Sequence, residues 1–302
     1  MLWRCRRMRE VRVDNLQARF DDAGVWLELI DLSLLAALCL VGAGVCWDIV
    51  RKRWEPLREK LANIAVAIGN ILLERTLYGA VFLIALWLVE PLAWWRIPVN
   101  GWTWALALLA ADLSYYWMHR IEHKVRFFWT IHSAHHSSER FDFSTSLRLS
   151  WLEGPVEWIF LVPMVLLGFD LVQTIVAFLA VVAYQSWIHT EKVGTLGWLD
   201  RVFNTPSAHR VHHGSHHPYL DKNFGGVLML WDRLFGTYQP ETAPVSYGLT
   251  TPLASRNPFI IVFHEAKALY SDCRNAHSWR DRLHFLIKSP GWKPDTHAHT
   301  DH

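Results

Sequence analysis

The chain has 302 residues, of which 52% are hydrophobic and only 19% charged, with a formal charge of +2. A soluble domain carries about a quarter charged residues, so this one is unusually apolar. The composition excludes a disordered, collagen-like or coiled-coil chain, and the balanced charge argues against a nucleic-acid partner. Four cysteines (Cys5, Cys39, Cys46, Cys273), none in CxxC spacing, predict neither a disulfide framework nor a thiolate metal site.

In chain order, residues 1–25 form a basic segment with Arg4, Arg6, Arg7, Arg9, Arg12 and Arg19. Residues 32–47 then run without a charge between Asp31 and Asp48. A second apolar run, Thr76 to Val89, ends at Glu90, Pro91 and the Trp94–Trp95 pair; a third, Ile97 to Ala111, leads straight into Asp112. The fourth region, Val156 to Thr190, is interrupted by Glu157 and Gly168–Phe169–Asp170, and its second half from Leu171 is uncharged throughout. A bilayer-crossing helix needs roughly 20 apolar residues, and many of the 18 Trp sit at the ends of these runs, as in an interfacial belt. The pattern predicts an all-α protein with about four transmembrane helices. Runs two and three pair as one hairpin, residues 156–188 as another, and a helical cap follows. Arg51, Lys52, Arg53, Arg58 and Lys60 after the first run, and Arg120, Lys124 and Arg126 after the third, place the cap on the cytoplasmic side. The N-terminal arginines oppose that orientation if the first run crosses fully. The predicted division is residues 1–25, a membrane domain 26–240, and a C-terminal extension and tail 241–302.

The 17 histidines carry the chemistry. His119 and His123 lie in DLSYYWMHRIEH, where Asp112 shares their helical face; His132, His135 and His136 form HSAHH; His189 stands alone in WIHTEK; His209, His212 and His213 form HRVHH, followed by His216 and His217. Spacing i, i+3, i+4 brings imidazoles within roughly 5–6 Å along a helix. Nine candidates (His119, His123, His132, His135, His136, His189, His209, His212, His213) exceed what one ion takes and suit two. Imidazole alone does not choose among Fe, Zn, Cu and Ni. Asp112, Glu122, Glu191, Asp221 and Asp232 are available to orient metal-bound rings, Asp112 being favoured by its register. Asn223, Gly225 and Gly226 read equally as a packing turn or a ligand-shaping loop. His264, His277 and His284 read as structural, and His297, His299 and His302 as a solvated tail.

The series HRIEH, HSAHH, WIHTEK, NTPSAHRVHH and YLDKNFGGVLMLWDRLFGTY resembles the sterol desaturase/fatty acid hydroxylase superfamily of membrane di-iron enzymes over roughly residues 60–240. The later segment 257–294 is similar to that of bacterial members and of alkylglycerol monooxygenase-like proteins. Ala208 replaces a further histidine found in some members, and the third motif holds one histidine where fatty acid 2-hydroxylases have two. His216, His217 or a water held by Asn223 are the candidates for a tenth ligand. The resemblance implies two iron ions, O2 as co-substrate, and hydroxylation of a lipid C–H bond, with desaturation as the close alternative. A zinc hydrolase is the more distant one: no HExxH is present, since His264–Glu265 lacks the second histidine. With no dinucleotide-binding turn or iron–sulfur cysteine pattern, electrons are expected from a separate cytochrome b5, ferredoxin or reductase, or from a pterin.

Overall fold

A computed structural model describes residues 18–21, 23–73 and 77–294. Most of the basic N-terminal segment, the start of the second apolar run at Thr76, and His297, His299 and His302 lie outside the described residues. Those described are helical, with one isolated bridge between Phe203 and Leu228 as the sole strand-like pairing among them.

Helix α1 (Gly24–Val50) is apolar on every side and buries only Ile30, Ala37, Val41 and Asp48. A helix hydrophobic all round with its leucines exposed is built for hydrocarbon rather than water, and at about 40 Å it exceeds the bilayer's apolar thickness. It is the one described helix long and apolar enough to cross a membrane. Lys52, in the left-handed conformation at φ 54, turns the chain into α2 (Trp54–Leu73).

The other apolar runs fold less simply than their hydropathy predicts. Helix α3 (Gly79–Val89) has only 11 residues and packs chiefly against the short turns Gly154–Glu157 and Val162–Leu166. Those two turns are joined by a 3₁₀ segment at Trp158–Leu161, with Pro155 and Pro163 at their starts. The first half of the fourth apolar region is therefore a composite and not one limb of a regular hairpin, because each proline removes a helical donor. The loops meet through Trp94 N–H to Leu166 O and Ile97 N–H to Gly168 O. Gly168 is at φ +96, and a Cβ there would lie 2.5 Å from Trp95 O, so only glycine fits. Asp170 caps α6 (Leu171–Tyr184) by accepting from Val172 and Gln173 N–H. This helix stops six residues before the end of the apolar run: Ser186 Oγ–H binds Ala183 O, and Gln185 N–H tightens onto Val182 O.

Helix α4 (Gly101–Lys124) starts at a capping box in which Asn100 Oδ1 accepts from Trp102 and Thr103 N–H, and Thr103 Oγ1 accepts from Asn100 N–H. Its first half packs closely on α6 through the small residues Ala107 and Ala111, within a core that includes Leu86, Met164 and Phe178. Its second half continues unbroken into the histidine layer. One extended residue, Val125, separates it from α5 (Arg126–His136). Helix α7 (Pro206–His212) is capped by Thr205. After residue 240 the chain returns: α8 (Pro258–Asn275) packs on α5, and α9 (Trp279–Ile287) packs on both. Arg126, nearly buried, pairs with Glu265 and Asp272 of α8. Ala134 of α5 joins Val66, Ile261 and Val262 in a small core shared by α2, α5 and α8.

Candidate metal centre

Four elements bring the nine histidines together, and all nine are buried. His119 and His123 come from one turn of α4; His132, His135 and His136 from α5; His189 from the loop after α6; His209 and His212 from α7, and His213 from its C-cap. They form two groups, within each of which the ligand atoms lie inside 4.8 Å of one another: His119, His123, His132, His136 and His212 in the first, His135, His189, His209 and His213 in the second. The HxxHH motifs are thus divided, not lined up on one stripe. In HSAHH the i, i+4 pair His132/His136 faces the first group and His135 the second. In HRVHH the pair His209/His213 faces the second and His212 the first.

The nitrogen geometry fits cations. His119 Nε2 lies 3.0 Å from His132 Nε2, which lies 3.1 Å from His136 Nε2, which lies 3.0 Å from His212 Nε2. His119 Nδ1 and His212 Nδ1 face the carbonyls of Phe224 and Lys222 at 3.0 Å. A carbonyl only accepts, so these two rings carry their proton on Nδ1 and a bare lone pair on Nε2. Three close contacts then share at most two protons, those of His132 and His136, and hydrogen bonding cannot account for all three. About 3 Å is the separation of neighbouring nitrogens around an ion bound at roughly 2.1 Å. The second group repeats the pattern: His189 Nε2 is 3.2 Å from His135 Nε2 and 2.9 Å from His209 Nε2, while His189 Nδ1 donates to Gln185 O at 2.8 Å. Burial holds His132, His135, His136, His209, His212 and His213 below the ordinary imidazole range, in the neutral form a ligand requires.

Behind the rings stands the loop 221–226. Asp221 Oδ1 lies 3.4 Å from His123 Nδ1, and Glu122 Oε2 lies 3.4 Å from His132 Nδ1. Burial alone would raise the Asp221 carboxyl, but His123 and Lys124 draw it down to about 2. Asp221 and Asn223 adopt φ 58 and 57, which turns the intervening Lys222 carbonyl toward His212. Asp112, expected to orient a histidine, does something else: its carboxylate accepts from Val227 N–H, Leu228 N–H and Trp231 Nε1–H. It anchors the loop that carries the carbonyls, because α4 presents it two turns before His119. Asp232 grips the same loop through Phe224 and Gly225 N–H. Gly226 is needed there, since a Cβ would lie 2.6 Å from Val181 Cγ1 and 2.9 Å from Asp112 Oδ1. Both readings of this Gly-Gly stretch therefore apply: it packs tightly, and by doing so it shapes the site.

The candidates for a tenth ligand stand elsewhere. The Asn223 amide is spent on the backbone, donating to Ala208 O and Gln239 O and accepting from Gln239 N–H. His216 meets the Tyr219 ring edge-on and His217 is exposed, and neither belongs to either group. Glu191 pairs with Tyr247. His264 bonds Ile261 O and His284 packs on Trp292, away from the centre.

Three further residues hold this arrangement, of which only Arg210 lies within a histidine motif. Arg148, 1% exposed, donates to Ala134 O, Ser137 Oγ, Glu59 Oε1 and Asn63 Oδ1, tying the C-terminal end of α5 to α2. Arg210 binds Glu241 and the carbonyls of Thr190 and Val193, fixing α7 against the His189 loop. Phe141 packs its ring against His189, His209 and His213. Arg148 falls between two motifs among other charged residues (Glu139, Arg140, Asp142, Glu153), so nothing in the sequence sets it apart.

Comparison with known proteins decides the family. The fatty acid hydroxylase family model matches residues 104–237. Human alkylglycerol monooxygenase is 34% identical over 269 residues, which cover 85% of this chain and 58% of that protein. The ornithine lipid hydroxylase OlsE of Rhizobium tropici is 28% identical over 157 residues, covering 49% and 46% of the two chains. A Delta(7)-sterol 5(6)-desaturase of Gibberella zeae is 27% identical over 173 residues, covering 52% and 50%. The chain belongs to the sterol desaturase/fatty acid hydroxylase superfamily. It spans about half the length of the curated relatives it matches. No solved structure matches it. The stretch matched by the family model holds all nine histidines together with Asp112, Asp221 and Asp232.

Proposed function

We propose that the chain is a membrane-bound oxygenase whose two histidine groups each hold an iron ion, and which hydroxylates a C–H bond of a lipid with O2 and electrons from a separate donor. The observation that carries this reading is the pair of adjacent nitrogen-only groups, in the first of which three ring-nitrogen contacts of about 3 Å have at most two protons to share. Two ferrous ions so held would supply reduction of O2 and removal of hydrogen from an unactivated C–H bond, chemistry beyond any side chain. The protein's own part is to hold and orient. The carbonyls of Phe224, Lys222 and Gln185 fix three tautomers, and the carboxylates of Glu122 and Asp221 set two more rings. Phe141 and Phe224 keep water from the buried rings.

The lipid substrate follows the relatives' names, which include alkylglycerol, ornithine lipid and sterol. It also follows the layout, in which α4 runs from an apolar layer directly into the histidines. We place α1, the first half of α4, α6 and the shorter apolar helices in the bilayer, with the histidine layer on the cytoplasmic side, where the basic residues after α1 lie. The test is metal analysis of detergent-purified, iron-replete protein with Mössbauer spectroscopy, followed by mass spectrometry of lipids incubated with O2 and a reductant. About two irons per chain as a coupled pair and a product one oxygen heavier are expected. A single zinc with no iron after reconstitution would overturn the assignment, and a product two hydrogens lighter would make the chain a desaturase.

A further inference from the structure

Helices α8 and α9 are apolar on two opposite faces. On the inner face α8 buries Ile261, Val262 and Leu269 against α5 and α2, and α9 buries Phe285. The outer face of α8 carries Phe259, Phe263 and Tyr270, which fall within about 40° of one another around the helix axis and lie opposite the buried set. All three are exposed, Tyr270 by 67%. On α9 the outer stripe is Trp279, Leu283 and Ile287 at i, i+4 and i+8, opposite Phe285, and Trp279 is 76% exposed. A helix with one face on its own protein has no use for a second apolar face in water, and clustered exposed aromatic surface marks an interaction site.

Both ends of this pair meet the apolar layer. At the start of α8, Phe259 and Phe263 stand edge-on to Trp151 at 5.0 and 5.9 Å, and Trp151 Nε1–H donates to Val66 O of α2. That part of α2 exposes Ile68, Ile71 and Leu72 and is followed in the chain by the apolar helix α3. At the end of α9, Lys288 O accepts from Arg126 N–H. Two residues on, Phe128 meets Phe160 edge-on at 5.5 Å, and Phe160 packs on the apolar core that holds Leu161 and Phe178. The pair therefore stands where the apolar layer gives way to the histidine layer, and its Phe, Tyr and Trp are residues of an interfacial belt. Charge selects what the stripes face. Lys267 and Arg274 flank the stripe of α8, Arg280 and Arg282 flank that of α9, and Lys288 follows; all five are exposed, and none has an ion pair among the described residues. The three acids of this segment are engaged: Glu265 and Asp272 with Arg126, Asp272 also with Lys293, and Asp281 with Ser278. Apolar stripes bordered by unopposed basic residues fit a negatively charged bilayer surface, where the rings enter the headgroup boundary and the basic side chains reach the phosphates. A second copy of the chain would set these like charges against one another.

We propose that α8 and α9 form a docking surface for the anionic face of the bilayer, with Phe259, Tyr270 and Trp279 seated among the headgroups and Arg280 and Arg282 on lipid phosphates. The proposal rests on the membrane placement given above and concerns neither the substrate nor the metals. The test is hydroxyl-radical footprinting, read by mass spectrometry, of the full chain in nanodiscs of phosphatidylcholine mixed with phosphatidylglycerol, each site being normalised to the unfolded chain. Tyr270 and Trp279 are expected to label as weakly as the exposed Leu35 of α1. Full labelling of both beside a protected Leu35 would overturn the docking surface and leave the membrane placement standing; full labelling of Leu35 as well would overturn the placement and the proposal with it. Protection that persists in detergent and disappears on dilution would assign the stripes to a second copy instead. The charge is tested by the lipid that the protein retains when it is extracted from mixed vesicles. Phosphatidylglycerol is expected in excess of its share of the vesicle, and Arg280→Gln/Arg282→Gln and Lys267→Gln/Arg274→Gln are each expected to reduce that excess about fivefold or more. These side chains are exposed and unpaired, so the substitutions spare the fold, and a Leu35 footprint equal to that of the wild type checks this. An excess unchanged in both variants would overturn the anionic partner.

Discussion

The two histidine groups are built from the same motifs but are supported differently. In the first, four of the five rings have a named partner on Nδ1: Phe224 O for His119, Asp221 for His123, Glu122 for His132 and Lys222 O for His212. In the second, His189 Nδ1 is held by Gln185 O and the His135 ring faces the Arg148 backbone, while His209 Nδ1 is buried with no hydrogen-bond partner. A ring whose second nitrogen is held has its tautomer and orientation fixed before the ion arrives; a ring without that support must be ordered by the ion. The contrast makes the first group the preorganised half of the centre and the second the adaptable half.

Removing a ring from either half is the most drastic change. His212→Ala in the first group and His135→Ala in the second are each expected to reduce lipid oxidation to background while the protein still inserts in the membrane, because both ions act together. Normal turnover in either variant, measured by lipid mass spectrometry, would dissolve the comparison altogether. Next comes the scaffold beneath the α5 histidines. Arg148→Met leaves Glu59 and Asn63 without their buried donor and frees Ala134 O, which costs about 3 kcal/mol or more for a broken buried charge network. The expected readout is a large drop in unfolding temperature in detergent, with partial recovery in Arg148→Lys. Unchanged stability would mean that α2 does not position α5.

How far the sequence anticipates this centre depends on the range of the interaction involved. All nine histidines are legible, because motif spacing is local and a helix converts it directly into shared position. Their division into five and four is not, since whether His135 joins the group of His132 or that of His189 depends on where α7 and the His189 loop dock. The role of Asp112 is misread for the same reason: its register points toward the rings, but the donors it meets, Val227, Leu228 and Trp231, arrive from more than a hundred positions away. Arg148 and Glu59 are likewise joined only by the tertiary fold. The apolar runs do locate apolar helices, of which α1 alone among those described is long and apolar enough to cross a membrane. Their ends are less legible, because side-chain bonds such as Ser186 to Ala183 O halt α6 inside an uncharged stretch.

Stepwise chelation probes the comparison directly. If orientation is fixed in the first group and not in the second, a graded chelator should strip the second ion first. Support of metal-bound histidines by outer partners is worth about 10–100-fold in affinity. Titrated loss of iron, followed by Mössbauer spectroscopy, should therefore show a half-loaded species with one environment remaining, and that species should persist in His209→Ala. Simultaneous loss of both ions would show that the missing Nδ1 partner of His209 does not matter.

The smallest effect is the most discriminating, because it removes support without removing a ligand. Asp221 sits at φ 58, a conformation asparagine accepts readily, so Asp221→Asn keeps the loop backbone and the Lys222 carbonyl in place. What it removes is the negative charge facing His123 Nδ1 and Lys124 Nζ. The charge also sets a pH limit. A carboxyl held at about 2 keeps its stabilising contact through the whole neutral range and loses it only as pH falls through the folded value, so it contributes throughout physiological conditions. Asp221→Asn should lower the affinity of the first group about tenfold and leave that of the second unchanged. The half-loaded plateau in the chelator titration should then narrow or vanish. A plateau as wide as wild type would place the difference between the halves in ligand number, five against four, and not in what stands behind the rings.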